Sequence, residues 1–277
     1  PRTHTSTETD PAVEPRASTN QRVRNRVVTP AFKDGGRDLR IDVLRGMAAV
    51  AMVVDHIGGP QSWLYRLTGG DRFFVSGAEA FILISGITAG LVYARLIARQ
   101  GLRAALLKVG RRTLMLYAMT MALTFGFVIA GNLAGAPWRL ELPRDEILPW
   151  ARSILTMHRT YYLADILLSY VLLIAALAPI LVGLAKGQTR LVVLISGLLW
   201  VTWQFAPAHA DWPWAIDNNP VFHFASWQVL FTAGVVVGFH GDRVKAWAPP
   251  LWPRRALVLS GGAALVLVMF AFALDGD

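Results

Sequence analysis

The chain has 277 residues, of which 54% are hydrophobic and only 16% are charged. Soluble domains carry about 25% charged residues, so this composition indicates a membrane protein. The sequence has no cysteine, which excludes disulfides, a cysteine nucleophile and cysteine metal ligands. A formal charge of +9 would favour nucleic-acid binding in a soluble protein. Here the excess of basic residues in cytoplasmic loops explains it, and we expect no nucleic-acid partner.

Residues 1–38 are rich in Thr, Pro, Arg and Ser and show no apolar periodicity. This composition predicts a disordered cytoplasmic tail. Contact of its arginines with anionic lipid head groups is the less favoured alternative to a solvated tail. Residues 39–277 are expected to form a transmembrane domain. Because the chain stops at Asp277 directly after an apolar run, we expect this domain to be incomplete at its carboxyl end.

Seven apolar segments predict an all-α fold, a polytopic transmembrane helix bundle with about seven spans. Their approximate bounds are 41–57, 76–98, 113–133, 163–185, 189–206, 224–240 and 255–274. The first is the weakest as an isolated span, because its ionisable residues need partners inside a bundle. Between the third and fourth segments, Asp145 to His158 is expected to form a short helix on or dipping into the bilayer.

Basic residues concentrate in the tail and in alternate connections, above all in the connection predicted between the second and third segments. The positive-inside rule therefore predicts a multi-pass cell-membrane protein with a cytoplasmic amino terminus. In this orientation Arg45 lies toward the cytoplasm, and Asp55 and His56 lie toward the outer face.

The first segment carries ionisable residues at membrane depth, where each one indicates a functional site. With 3.6 residues per turn, Asp42, Arg45, Ala49, Met52 and His56 share one face of the helix. Arg45 and His56 are separated by about three turns, roughly 16 Å along the axis. One polar stripe therefore has a cation near one end and an imidazole near the other.

His56 is suited to proton transfer, because the unperturbed pKa of histidine lies near neutrality. Its neighbour Asp55 points about 100° around the helix. Glu79, which opens the second segment on the same outer side, is therefore the preferred partner to orient the imidazole. The alternative is a capped helix end, with His56 hydrogen-bonded to the backbone.

Arg45 has two interpretations that the residues leave open. It either pairs with Asp42 at the inner interface, or it binds a phosphate or carboxylate from the cytoplasmic side. The small residues Gly77, Ser85, Gly86 and Gly90 on the second segment are expected to allow close helix packing.

Further polar residues are predicted in the outer half of the bundle. Asp165 and Gln228 lie early in the fourth and sixth segments, at the same depth as His56 and Glu79. The connection 207–223 is rich in Trp, Pro, Asn and Asp. Such residues suit both sugar binding and an interfacial turn, and the turn is slightly favoured.

Four ordered stretches resemble the OpgC family of integral-membrane acyltransferases. They are Arg40–Gly46 with Asp55-His56, Ala78–Gly86, Asp165–Tyr170 before Ala178-Pro179, and Trp227–Phe231 before Gly234. The wider relatives are acyltransferase-3 type enzymes, whose first span also carries an arginine and a histidine at this separation. The resemblance implies transfer of an acyl group, succinyl or acetyl, from a cytoplasmic acyl-CoA to a hydroxyl of an extracytoplasmic glycan.

The resemblance also implies roles for individual residues. His56 corresponds to the family's catalytic base, with Glu79 as its proposed partner, and Arg45, beside Asp42, corresponds to the arginine that handles the donor. Asp165, Trp227 and Gln228 are assigned to the acceptor side, and no metal is expected. Alternative functions are a proton-coupled transporter or flippase of a glycan or lipid intermediate, and a non-catalytic membrane subunit.

Overall fold

The computed structural model describes residues 39–57, 77–136, 147–161, 164–207, 211, 213–219, 221–241 and 243, without the side chains of 39–40 and 55–57. These residues form an all-α fold, as predicted. Its helices are α1 Leu39–Ile57, α2 Gly77–Gln100, α3 Leu102–Leu133, α4 Ile147–Leu155, α5 Asp165–Ala185, α6 Thr189–Phe205 and α7 Phe224–Phe239. The predicted tail, 1–38, and the last predicted segment, 255–274, lie outside the described residues.

Three of these helices, α2, α3 and α5, are long and apolar enough to cross a membrane. Helices α6 and α7 are apolar but shorter. Together they define a helical membrane protein. The short helix expected before the fourth segment is present as α4, which buries Trp150 and Ile154.

The third helix begins well before its predicted start at residue 113. Only Gly101 separates α2 from α3, and its positive φ of 86° makes the sharp turn that glycine permits. The prediction of a basic loop between the second and third segments is therefore wrong. Its residues are helical instead, at the end of α2 (Arg95, Arg99) and the start of α3 (Arg103, Lys108, Arg111, Arg112). Lys and Arg are good helix formers, and the buried stripe continues through Ala105 and Val109.

Helices α2 and α7 pack backbone to backbone through glycines spaced four residues apart on each helix. A Cβ atom added at Gly86 or Gly90 would meet the carbonyl oxygen of Phe231 or Val235, and one added at Gly238 would meet that of Ile87. The predicted packing role of Gly86 and Gly90 is thus confirmed. Contacts advance along both helices together, so α2 and α7 run parallel.

Helix α6 runs antiparallel to both of its neighbours. Ser196 in its middle bonds to Gln228 near the start of α7, while Thr189 at its start bonds to His240 just after α7. Burial, and secondarily the charge of Arg243, lower the pKa of His240. A short turn joins α5 to α6, so α2, α5 and α7 all begin at the same end of the bundle.

The main core lies among α2, α3, α5 and α7. Its fully buried residues include Ile82, Tyr93, Ile97, Ala105, Val109, Leu173, Leu177, Leu181, Phe231 and Val235. A second cluster packs α4 against α3 and the start of α5 through Met121, Val128, Trp150, Ile154, Tyr161 and Leu168.

Candidate functional site

Helix α1 has one face turned toward the bundle and one turned away. Val43, Met47 and Val50 are more than half exposed, whereas Ala48 is only 7% exposed and Arg45 is half-buried. Arg45 therefore lies on the inward-facing side. The described residues of the predicted stripe, Asp42, Arg45, Ala49 and Met52, are all half-buried, as expected for one face turned toward the bundle.

The start of α2 packs against the middle of α1. A Cβ atom added at Gly77 would lie 3.0 Å from the Ala48 carbonyl oxygen and 3.2 Å from the Met52 amide nitrogen. Glu79, two residues further along α2, is half-buried. His56 follows Met52 by one helical turn, about 6 Å. Its side chain lies outside the described residues, so the pairing of His56 with Glu79 stays a prediction.

Arg112, which the sequence predicted in a loop, is a half-buried residue of α3 that contacts α5. Its Nη2 donates a long hydrogen bond of 3.4 Å to the hydroxyl of Tyr170 on α5. The guanidinium also interacts electrostatically with Tyr93 of α2, which is 2% exposed. Tyr170 precedes the last residue of α5, Ala185, by about 22 Å along the axis. Tyr170 follows the first residue, Asp165, by about 7.5 Å, so the contact lies within the span and nearer the end where α5 begins.

The Arg112 cluster, defined as Arg112 with Tyr93 and Tyr170, reaches the side of α2 that meets α1. The rings of Tyr170 and Phe81 are 5.7 Å apart between centroids. Phe81 follows Gly77 by one turn and lies on the same side of α2. The start of α2 thus lies between the polar stripe of α1 and the half-buried Arg112 cluster.

A sequence signal for Arg112 was present in the spacing of its neighbours. Ala105, Val109 and Thr120 are buried on α3. Arg112 continues this stripe at helical spacing, whereas Arg111 does not and is exposed. Starting the predicted helix at residue 113 left Arg112 outside it and concealed the pattern.

Gln228 joins two helices. It is 4% exposed. Its Oε1 accepts from Ser196 Oγ at 2.7 Å, and its Nε2 donates to the carbonyl oxygens of Ser196 at 2.8 Å and Ala225 at 3.2 Å. The polar atoms of this side chain are therefore engaged in linking α6 to α7.

Trp227 and Asp165 also take part in local structure. Trp227 Nε1 donates to the Val221 carbonyl oxygen at 2.8 Å. Asp165 is buried at the first position of α5, where its Oδ1 accepts from the Ile166 amide at 2.8 Å. Glu79, Asp165 and Gln228 do share one end of the bundle, because each lies within the first five residues of parallel helices. Their acceptor-side or catalytic roles remain predictions.

The described part of the connection 207–223 is a turn tied to the loop after α4. Asp217 forms an isolated β-bridge and a 2.9 Å ion pair with Arg159. Trp214 stacks on His158 and donates its indole N–H to the Met157 carbonyl oxygen at 2.8 Å. Because these groups bind one another, the interfacial-turn interpretation is favoured over sugar binding.

An apolar cleft of about 290 Å³ lies between α5, α6 and α7. Leu173, Pro179, Ile195, Leu199 and Phe224 are among its lining residues. Gln228 also lines the cleft, but its amide is already bonded to Ser196. None of the described lining residues is charged, so the cleft offers no charged group to support chemistry. Among the described residues no group of three or more His, Asp or Glu is arranged to hold a metal ion.

The all-α fold and its long apolar helices define a helical membrane protein. Residues 37–276 match the family described as OpgC protein, and the chain therefore belongs to this family. Membership suggests an acyltransferase related to glucan succinyltransferases, with an acyl-CoA donor. No curated protein and no solved structure matches the chain.

Proposed function

We propose that this protein is a membrane O-acyltransferase that transfers a succinyl or acetyl group from cytoplasmic acyl-CoA to a hydroxyl of an extracytoplasmic glycan. The observation that carries the proposal is the inward-facing side of α1, which bears Arg45 and packs against the start of α2, two residues from Glu79. Ionisable groups on such a buried face are costly unless they serve a ligand or a reaction. Family membership supplies the reaction class.

In the proposed reaction a glycan hydroxyl oxygen attacks the thioester carbonyl carbon. His56 accepts the hydroxyl proton, because an unassisted hydroxyl is too weak an acid to form the nucleophile at neutral pH. The new carbon–oxygen ester bond forms as the carbon–sulfur bond breaks, and CoA leaves as a thiolate that takes up a proton. Glu79 is proposed to hold the imidazole in the required tautomer.

The donor and the acceptor approach from opposite sides in this scheme. Arg45, with Asp42 beside it on the same face, binds an anionic group of the CoA ester from the cytoplasm. Asp165 and Trp227 are among the first residues of α5 and α7, and the glycan is proposed to bind at that end of the bundle. The transmembrane domain within 39–277 contains all of these groups.

Replacing His56 tests the catalytic step. The purified full chain is incubated with labelled succinyl-CoA or acetyl-CoA and a soluble glucan, and labelled ester is measured. We expect His56→Ala to reduce transfer by about 100-fold or more, as for removal of a general base. Full transfer by a membrane-inserted His56→Ala protein would contradict the mechanism. Glycan uptake into proteoliposomes without acylation would favour a transporter instead.

Replacing Arg45 tests donor binding. Arg45→Ala removes a charge-assisted interaction and should weaken acyl-CoA binding by about 10-fold or more. Arg111→Ala is the matched control, because Arg111 is exposed on α3. Equal acyl-CoA affinity in wild type and Arg45→Ala, measured by titration calorimetry, would refute the donor assignment.

A further inference from the structure

The Arg112 cluster contains more hydrogen-bond donors than acceptors. A guanidinium has five N–H donors and no acceptor. Tyr170 receives one of them, which leaves its own O–H available to donate. Within the described part of the chain, no carboxylate pairs with Arg112. The cluster therefore carries a half-buried positive charge at a contact between apolar helices, where an anion would compensate it.

The hydroxyl of Ser85 is a second, independent group that lacks a hydrogen-bond acceptor among the described residues. It is 3% exposed, and no described residue hydrogen-bonds to its Oγ. The other helical hydroxyls in α2 and the start of α3 bond back to the preceding turn, as Thr88 does to Ile84 and Thr113 to Val109. A buried hydroxyl without a partner costs about 1–3 kcal/mol unless something else satisfies it.

Ser85 lies on the ridge of α2 that faces the cluster. Phe81, Ser85 and Tyr93 belong to one row of residues spaced four apart along the helix. Phe81 contacts Tyr170, and Tyr93 interacts with Arg112, so Ser85 lies between the two points where α2 meets the cluster. Ser85 thus follows Phe81, which contacts Tyr170, by one helical turn, about 6 Å along the axis.

We propose that Arg112, Tyr170 and Ser85 bind the free carboxylate of a dicarboxylic acyl group and select succinyl over acetyl donors. This inference rests on the proposed acyltransferase function and specifies its acyl group. A carboxylate matches the site because it accepts several hydrogen bonds and neutralises the arginine. An acetyl group has no second carboxylate and would leave Arg112 uncompensated.

The location of the cluster fits this role. It borders the side of α2 whose first residue contacts Ala48 and Met52 of α1. An acyl group attached to CoA and directed toward the polar stripe of α1 would extend its far end along this side. The cluster thus acts on the acyl group, separately from the reacting thioester carbon.

The test compares two donors in the purified full chain. We expect Arg112→Gln to lower kcat/KM for succinyl-CoA by about 10- to 100-fold and that for acetyl-CoA by less than threefold. Tyr170→Phe and Ser85→Ala should each lower the succinyl preference several-fold. Arg111→Gln, which alters the exposed neighbour on the same helix, should leave both donors unchanged. Gel filtration of each variant verifies folding, and Tyr170→Phe and Ser85→Ala decide the question if Arg112→Gln does not fold.

A binding measurement separates failure of this site from failure of the proposed function. Wild type should bind succinyl-CoA more tightly than acetyl-CoA, and Arg112→Gln should abolish the difference. If wild type transfers neither group, the proposed function fails, yet a succinyl preference in binding that depends on Arg112 still supports the site. Equal binding of both donors by wild type overturns it. An equal loss of affinity for succinyl-CoA, acetyl-CoA and free CoA in Arg112→Gln would assign Arg112 to the CoA phosphates and also overturn it.

Discussion

Arg111 and Arg112 are neighbours in the chain with opposite surroundings. Arg111 is exposed on α3, whereas the guanidinium of Arg112 reaches Tyr170 inside the bundle. A rotation of 100° per residue is enough to place one arginine at the surface and its neighbour partly inside the bundle. The functional importance of a basic residue in this protein therefore depends on helix phase and cannot be derived from composition.

The site residues differ in how far sequence could predict them. The inward orientation of Arg45 follows from helical periodicity, because the apolar residues Val43, Met47 and Val50 mark the opposite face. The bond between Gln228 and Ser196 could not be predicted, because it depends on which helices become neighbours. Arg112 could have been found from its spacing to Val109, but only with the correct start of α3.

At the residue scale, Gln228→Leu should destabilise the protein. The substitution leaves Ser196 Oγ without its 2.7 Å partner between α6 and α7. Interhelical hydrogen bonds in membrane proteins contribute on average about 0.6 kcal/mol and at most about 1.7 kcal/mol. We expect a loss within this range in reversible unfolding in detergent. A cycle with Ser196→Ala isolates the pair, and a coupling energy of zero would contradict the assigned bond.

At the element scale, composition predicts helices better than it predicts their packing. Five predicted segments agree with α1, α2, α5, α6 and α7 to within two residues at each end. Apolar residues and turn-forming residues define these ends locally. The start of α3 was missed because basic residues resemble a loop in a hydropathy pattern, although they continue a helix well.

The pairing of α2 with α7 required the structure, because the two helices are far apart in sequence. Small residues on α2 indicated a contact without indicating the partner. Gly234 and Gly238 provide the complementary surface on α7. This agrees with the general role of small residues in membrane helix pairs, where close backbone approach replaces the hydrophobic driving force.

Enlarging one of these glycines should separate the two helices. Gly90→Leu places a side chain against the Val235 carbonyl oxygen and the Gly238 backbone. Overpacking of this kind costs about 1–3 kcal/mol or more, because neither backbone can move without disturbing its own helix. The loss of stability is measured by thermal unfolding in detergent.

Gly110→Leu is the matched control for this substitution. A Cβ atom at Gly110 meets nothing within 4 Å, so we expect a change of no more than about 0.5 kcal/mol. Similar destabilisation by Gly90→Leu and Gly110→Leu would show that loss of glycine in a helix, and not the α2–α7 contact, determines the effect.

At the scale of the whole molecule, the parallel and antiparallel helices divide the loops into two sets. The turns at Gly101 and Lys186 lie at one end, and the loops around His158 and Asp217 lie at the other. The positive-inside rule predicts that the first end is cytoplasmic. Charge asymmetry acts during insertion, when the basic residues are retained on the cytoplasmic side.

Single-cysteine labelling tests this orientation directly, because the chain has no cysteine of its own. Lys186→Cys and Asp211→Cys each place a thiol at an exposed position. A membrane-impermeant maleimide should label Asp211→Cys in intact cells and Lys186→Cys only after permeabilisation. The reverse pattern would invert the topology and with it the proposed direction of acyl transfer.

The glycine contact between α2 and α7 also affects the timing of assembly. About 130 residues separate Gly90 from the start of α7. At a synthesis rate of about 5–20 residues per second, the start of α7 is synthesised roughly 7–26 s after Gly90 of α2. During that interval its glycine surface is covered only by lipid or by other proteins of the insertion machinery. The packing of α1 on α2 can therefore form before α7 is made, whereas the contact between α2 and α7 forms only late in biogenesis.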